Sequence, residues 1–370
     1  MHNSRLLDPA MVDVIKKTND ITCEWLTAAL HENGVIRSAV SSVEIEPIGA
    51  GIGLMSDLCR LSLDYTSEES APKSMVVKCA VQNDNINVAR LLDFYNRETN
   101  FYNKIGNACP LNVPDSYFGA VNQDTYDFVI LLEDLGDVST RDQLVGASRD
   151  EAFRAVENLA EMHAKWWDKV SAPEDDWMYD FMCAEESERL KQLVYMPGLE
   201  PAIEKFESSF NEEMKQVCRR VGERYSEFWA TGLTQVDTFI HGDYRQDNMI
   251  YREDSVDAVV MDWQISGKGK GIFDVAYFMC QSLASNLRME IEREILEMYV
   301  GKLKEWGVTD YGIDQCWQDY RLVILGCLIY PITVCGTLDM ANERGRALGK
   351  SMLERNLTAI SDLGCQQLVL

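Results

Sequence analysis

The sequence predicts an α+β fold with two lobes, a β-rich N-terminal lobe and a mainly helical C-terminal lobe. Residues 42–81 alternate polar and apolar side chains as strands do. From about Ser148 onward the apolar spacing is helical apart from one short hairpin, and a short connector lies near 132–138. At 370 residues the chain is long enough for one large two-lobed domain or two ordinary ones. The expected partition is 1–132 for the first lobe, 133–137 for a hinge and 138–370 for the second lobe.

In chain order, much of the first ~35 residues reads as helix, with Asp20 the expected N-cap before Ile21-Thr22-Cys23-Glu24-Trp25-Leu26. Val43-Glu44-Ile45-Glu46 alternates, Gly49-Ala50-Gly51-Ile52-Gly53 breaks the pattern, and Leu58-Cys59-Arg60-Leu61-Ser62-Leu63 resumes it. After a polar loop from Thr66 to Pro72, Ser74-Met75-Val76-Val77-Lys78-Cys79 gives a third strand. Helical spacing returns over 88–105, then two strands follow around Tyr117-Phe118-Gly119-Ala120 and Phe128-Val129-Ile130-Leu131-Leu132. Further helices are expected over 150–169, 203–230 and 285–306, and the apolar stretch 317–339 is expected to be buried. Met249-Ile250-Tyr251 and Ala258-Val259-Val260-Met261, separated by the polar Arg252-Glu253-Asp254-Ser255, read as a hairpin.

Composition narrows the function classes. A formal charge of −25 argues against nucleic acid and against an anionic membrane surface. No apolar run approaches the roughly 18–20 residues that span a bilayer, and Met1-His2-Asn3-Ser4-Arg5 lacks the organisation of a secretory signal. Eleven cysteines are scattered with no C-x-x-C pair, so neither a disulfide framework nor a zinc site is implied. A reducing cytoplasm is the expected location.

The densest chemistry lies in His241-Gly242-Asp243-Tyr244-Arg245-Gln246-Asp247-Asn248, followed by Met261-Asp262-Trp263. Asp243 and Asn248 have the spacing of the kinase catalytic loop H-R-D-x-x-x-x-N, with Gly242 in place of Arg. In phosphoryl transfer one carboxylate orients and deprotonates the attacking hydroxyl, while an amide and a second carboxylate hold magnesium on the phosphates. The hairpin would present Asn248 and Asp262 at its open end. Upstream, Gly49, Gly51 and Gly53 lie between two strands, as in a phosphate-cradling loop or an ordinary hairpin turn. No G-K-[ST] follows, so this is not a Walker A motif. Lys78 ends an apolar run as the phosphate-pairing lysine of V-A-I-K does, and Glu98 on the next helix could be its ion-pair partner or a solvated residue. Along Ile130-Leu131-Leu132-Glu133-Asp134-Leu135-Gly136, main-chain groups of Glu133 and Leu135 could meet an adenine edge, although a strand running into a turn has the same sequence.

On these residues the chain resembles the aminoglycoside phosphotransferase and choline kinase group of small-molecule kinases, which share the protein-kinase-like fold. Within that group it is most similar to the ecdysteroid-kinase-like (CHK-like) phosphotransferases. The resemblance rests also on Arg97-Glu98 with Phe101-Tyr102, Leu159 to His163, and Asp274-Val275-Ala276-Tyr277, and it spans roughly residues 45–285. It implies ATP and magnesium as cofactors, Asp243 as catalytic base, Asn248 and Asp262 as magnesium ligands, and Lys78 on the nucleotide phosphates, positioned by Glu98. It also implies that His241 and Asp274 support the catalytic loop and that His163 is a packed helix residue.

Only eleven residues separate Asp262 from Asp274, too few for a long activation segment, which favours a small-molecule enzyme over a regulated protein kinase. Lys268 and Lys270 in that segment could approach phosphates or be solvated. The implied partner is a small molecule bearing a hydroxyl, held by helical insertions near 165–200 and 300–340 that are rich in Trp and Tyr. A relatively apolar, steroid-like or hydroxyacyl acceptor is expected, with aminoglycoside, macrolide or choline/ethanolamine kinase activity as the alternative. A non-catalytic nucleotide-binding protein is the alternative of another class. The oligomeric state is not legible.

Overall fold

The computed structural model describes residues 12–48, 56–83, 85–136, 138–172, 175–180, 183–232, 237–251, 255, 257–337 and 343–369. The chain divides into two compact units, Met1–Cys109 with Val113–Asp137, and Pro110–Asn112 with Val138–Leu370. Residues 110–112 thus group with the second unit. The grouping has a local cause: Asn112 accepts the Val260 N–H at 2.8 Å and so adds itself to the second unit's small sheet.

The first unit contains α1 (Cys23–Glu32), β1 (Val40–Pro47), β2 (Ser56–Tyr65), β3 (Ser74–Ala80), α2 (Asn85–Leu91), α3 (Phe94–Asn100), β4 (Ser116–Val121) and β5 (Phe128–Glu133). Its strands form one antiparallel sheet in the order β1-β2-β3-β5-β4. Because side chains alternate across a strand, Met75, Val77 and Cys79 join a core with Leu26, Leu30, Leu61 and Leu131, and Lys78 falls on the other face. β5 lies between two neighbours and is buried from Phe128 to Leu132, which is why it reads as an unbroken apolar run.

The second unit contains β6 (Ser139–Thr140), α4 (Arg149–Trp166), α5 (Ala184–Leu190), α6 (Met196–Lys205), α7 (Glu212–Gly232), β7 (Thr238–Ile240), β8 (Met249–Tyr251), β9 (Ala258–Val260) and β10 (Gly267–Gly269). It continues with α8 (Ile272–Ser282), α9 (Ser285–Glu305), α10 (Ile313–Gly326), α11 (Ile329–Thr337) and α12 (Glu343–Asp362). Ser148 and Glu151 close a reciprocal capping box at the start of α4. Every residue of α8 is buried. Helices α6 and α11 pack where two glycines meet. A Cβ on Gly198 would lie 2.9 Å from the Ile332 carbonyl oxygen, and one on Gly336 would overlap the Gly198 backbone.

Several sequence expectations are corrected. The N-cap of α1 is Thr22, whose side chain accepts the Trp25 N–H at 3.1 Å, while Asp20 closes a 3-10 turn. The helix expected over 88–105 is interrupted at Asp93, which has φ +55°, and ends in a π turn over Phe101–Ile105. That expected over 203–230 is two helices with a 3-10 turn at Glu207–Ser209 between them. The run 313–337 does reach the length and mean hydropathy (1.5) of a membrane span. It is nevertheless divided into α10 and α11, and Ile324, Leu325, Cys327, Leu328 and Ile332 are fully buried in the unit.

Candidate active site

β7 delivers the chain into His241-Gly242-Asp243, and β8 takes it away after Asn248. The β8–β9 hairpin returns, and the Met261 N–H donates to the Asn248 carbonyl at 2.9 Å, so Asn248 and Asp262 both lie at its open end. β10 then pairs with β7 and runs directly into the first turn of α8 and Asp274.

Asp274 is fully buried and holds the loop backbone. Its Oδ2 accepts the His241 N–H at 2.7 Å and its Oδ1 accepts the Gly242 N–H at 2.8 Å. His163, itself packed in α4, lies 3.3 Å from the same Oδ2 and 2.9 Å from the Tyr299 hydroxyl. The His241 ring accepts the Asp243 N–H on Nδ1 at 3.1 Å, which leaves Nε2 to donate to the Met261 carbonyl at 3.0 Å. With both nitrogens engaged, this imidazole ties the loop to the hairpin and has none left for a proton-abstracting role.

Gly242 explains its own departure from the H-R-D pattern. Its φ is +82°, and a Cβ there would collide with the Ile265 carbonyl oxygen. A side chain in this left-handed conformation is strained, and here it would also have no room.

The Asp243 carboxylate is gripped on both oxygens. Oδ1 accepts from the Tyr277 hydroxyl at 2.8 Å and from Arg245 Nε at 3.1 Å, and Oδ2 accepts from Asn248 Nδ2 at 2.8 Å. Asn248 Nδ2 also lies 2.8 Å from the Asp243 carbonyl. Arg245 is anchored further by Gln143 Oε1 at 2.7 Å and Asp247 Oδ2 at 3.1 Å. Burial works against its charge, but Asp243 and the neighbouring Tyr277 and Asp247 push its pKa upward. Asp262 sits at φ +65°, an uncommon conformation for a residue with a side chain, and accepts from Gln264 Nε2 at 3.3 Å.

In the first unit, Lys78 Nζ and the Glu98 carboxylate form an ion pair at 2.8 Å with both residues buried. Gly49, Gly51 and Gly53 lie outside the described residues, in the connection from β1 to β2. Glu133 ends β5, and its N–H is engaged by the Asp115 carbonyl at 2.8 Å, which removes that amide from the expected base contact. Leu135 follows, partly buried.

The residues that the motif reading missed are Tyr277, Arg245, Gln143, Tyr330 and Arg355. Tyr330 on α11 donates to the Gly242 carbonyl, and its ring lies 4.2 Å from that of Tyr277. Arg355 on α12 donates to the carbonyls of Gln143 (2.8 Å), Gln281 (2.8 Å) and Leu144 (2.9 Å). Tyr277 had a local signal, because it lies three residues after Asp274 on one helix face. The other contacts are long-range. Lys270 is neither solvated nor placed to approach a phosphate: it is buried 3.2 Å from Asp319 and 3.7 Å from Asp237. Lys268 lies in β10, and its N–H donates to the Tyr179 carbonyl.

The model of the ecdysteroid kinase-like family matches residues 50–309. The chain belongs to this family. No curated protein matches it in sequence. Among solved structures, choline kinase from Cryptosporidium parvum is 12% identical, with a TM-score of 0.53 over 93% of this chain and 98% of that one. The GDP complex of a mutant aminoglycoside 2′-phosphotransferase-IIIa is 14% identical, with a TM-score of 0.53 over 90% and 97%. A GDP and kanamycin complex of APH(2″)-IIIa is 13% identical, with a TM-score of 0.52 over 90% and 97%. At such identities the likeness is one of fold, the protein-kinase-like α+β fold.

As an ecdysteroid kinase-like protein the chain is a small-molecule phosphotransferase. Among the described residues no cluster of three or more His, Cys, Asp and Glu side chains could hold a metal. The hairpin does bring two hard oxygen donors to one end, the Asp262 carboxylate and the Asn248 side-chain carbonyl. They suit an ion that also takes substrate phosphates as ligands.

Proposed function

We propose that the chain transfers the γ-phosphoryl group of ATP, with magnesium, to a hydroxyl of a relatively apolar small molecule of steroid-like or hydroxyacyl type. The observation that carries this reading is the loop–hairpin constellation of Asp243, Asn248 and Asp262, with Asp243 fixed on both oxygens. Asp243 receives the acceptor hydroxyl and holds it in line with the γ-phosphorus. Phosphoryl transfer passes through a loose transition state that needs little early proton removal, so aim matters more than basicity.

Asn248 and Asp262 would hold magnesium. With Asn248 Nδ2 engaged by Asp243, the amide's other end is an oxygen, the donor type magnesium takes. When bound, the ion supplies neutralisation of charge on the β- and γ-phosphates. Lys78, kept in place by Glu98, pairs with nucleotide phosphates, and Gly49, Gly51 and Gly53 offer them backbone amides. Main-chain groups near Glu133 and Leu135 take the base, without the Glu133 N–H. His241 and Asp274 hold the loop. The partition into a lobe over 1–132, a hinge over 133–137 and a lobe over 138–370 belongs to the same reading.

An apolar acceptor is supported by the family and by the aromatic pair Tyr277 and Tyr330 beside Asp243. A reducing, cytoplasmic setting is supported by eleven cysteines that are all free thiols.

The test offers a metabolite extract with γ-labelled ATP, or GTP in parallel, and identifies any phosphorylated product by mass spectrometry. A labelled apolar alcohol that disappears with Asp243→Ala is the expected result. Magnesium-dependent ATP binding with no phosphorylated product would favour a non-catalytic nucleotide-binding protein.

A further inference from the structure

An ionised carboxylate offers about four lone-pair sites. On Asp243 two are filled at Oδ1, by the Tyr277 hydroxyl at 2.8 Å and Arg245 Nε at 3.1 Å. One is filled at Oδ2, by Asn248 Nδ2 at 2.8 Å. The remaining site is on Oδ2. We propose that Tyr277 and Tyr330 are a pair of positioning residues that aim Asp243 so that the acceptor hydroxyl is received on Oδ2. The inference rests on the reading of Asp243 as the group that receives this hydroxyl.

The geometry gives each tyrosine a separate task. Tyr277 stands one turn after Asp274 on α8, so a single buried helix holds both the loop backbone and its reactive side chain. Tyr330 reaches the Gly242 carbonyl, the peptide unit immediately before Asp243. Its ring packs 4.2 Å from Tyr277 at 36°, which limits where the Tyr277 hydroxyl can swing.

The peptide unit before Asp243 is thus fixed at its Gly242 carbonyl by Tyr330 and at its Asp243 N–H by His241. The carboxylate beyond it is fixed by Tyr277, Arg245 and Asn248. Burial first, and the Asp243 charge second, keep the Tyr277 hydroxyl protonated well beyond its ordinary range, so it remains a donor at any working pH. Tyr330 is carried by α11, which packs against α6 at Gly198 and Gly336 with no space to slip. A shift of that helix pair is therefore felt at Gly242.

The probe is Mg-ATP with water as the acceptor, read as phosphate release under single-turnover conditions with enzyme in excess. Tyr277→Phe removes one hydroxyl and nothing else. Its saturating rate should fall about tenfold or more, while the enzyme concentration that gives half that rate stays within about twofold, the signature of lost aim rather than lost Mg-ATP binding. Tyr330→Phe should show the same split at roughly threefold, since it acts only through the backbone.

A native rate in Tyr277→Phe overturns the proposal, as does a loss of rate matched by an equal loss of Mg-ATP affinity. Should Tyr277→Phe fail to fold, judged by its thermal midpoint, Tyr330→Phe decides by the same split. Asp243→Asn separates the two readings. Inactive Asp243→Asn beside native Tyr277→Phe sinks only the positioning pair, whereas active Asp243→Asn removes Asp243 from the mechanism.

Discussion

Replacing Gly242 with alanine isolates the steric logic of the loop from His241 to Asn248. Two penalties add. A side chain at φ +82° costs about 1–2 kcal/mol relative to glycine. The new Cβ also meets the Ile265 carbonyl oxygen and lies 3.1 Å from both its carbonyl carbon and its Cγ2. The peptide cannot swing away freely, because Asp274 holds the Gly242 N–H at 2.8 Å and Tyr330 holds its carbonyl. Overpacking of this kind costs about 1–3 kcal/mol.

Gly307→Ala is the control. It lies in the same unit, has φ +98°, and has no atom within 4 Å of a new Cβ, so it carries the first penalty alone. Gly242→Ala should therefore be less stable than Gly307→Ala by about 1–3 kcal/mol. For a unit of this size that is a gap of roughly 2–12 °C in thermal midpoint. Urea unfolding followed by tryptophan fluorescence would read the same gap as a shift in midpoint at constant slope. Equal losses in the two variants would refute the steric argument.

Breaking the Lys78–Glu98 pair with Lys78→Met alone should cost about 3–5 kcal/mol by stranding a buried carboxylate, whereas Lys78→Met with Glu98→Leu should recover most of it. Denaturation of both variants checks this, and both should fail in phosphoryl transfer. Asp237 gives a pH dependence: burial pushes its carboxyl from 3.8 up to about 7, against the pull of Lys270 and with the push of Asp319 and Asp168. A raised carboxyl pKa means the folded state keeps a proton that the unfolded state has released. This group therefore removes stability as pH rises from about 4 to about 7, by about 4 kcal/mol at most. Asp237→Asn should flatten that slope between about pH 4 and about pH 7, and an unchanged slope would count against it. At α1, Thr22→Ala should lose about 1 kcal/mol while Asp20→Ala loses almost nothing, read by urea unfolding.

What the sequence made legible was what spacing encodes. Alternation placed β2 and β3, and with them the face on which Lys78 stands. The interval between Asp243 and Asn248, and the hairpin leading to Asp262, placed these three residues together, as the fold does. The order of motifs offered Glu98 as a partner for Lys78, and the two form an ion pair at 2.8 Å. What stayed hidden depended on folding distance. Tyr330 reaches Gly242 across 88 positions, and Lys270 finds Asp319 across 49. Nothing local to Lys270 distinguishes a buried ion pair from a solvated lysine in a glycine-rich segment. Asp20 fails as the cap of α1 for another reason. Both residue types cap well, and only the 3-10 turn that takes in Asp20 decides it.

The grip of Arg355 on Gln143, Leu144 and Gln281 has a consequence in time. Gln143 holds Arg245, and Arg245 holds Asp243, so the outermost link in this chain of contacts joins residues 212 positions apart. A ribosome makes the amino-terminal portion first. A nascent chain can therefore contain all of His241 to Asn248 and Asp262 while α12 does not yet exist to brace them. This loop is written early and its geometry is finished late, so a half-made chain carries Asp243, Asn248 and Asp262 without the frame that fixes them.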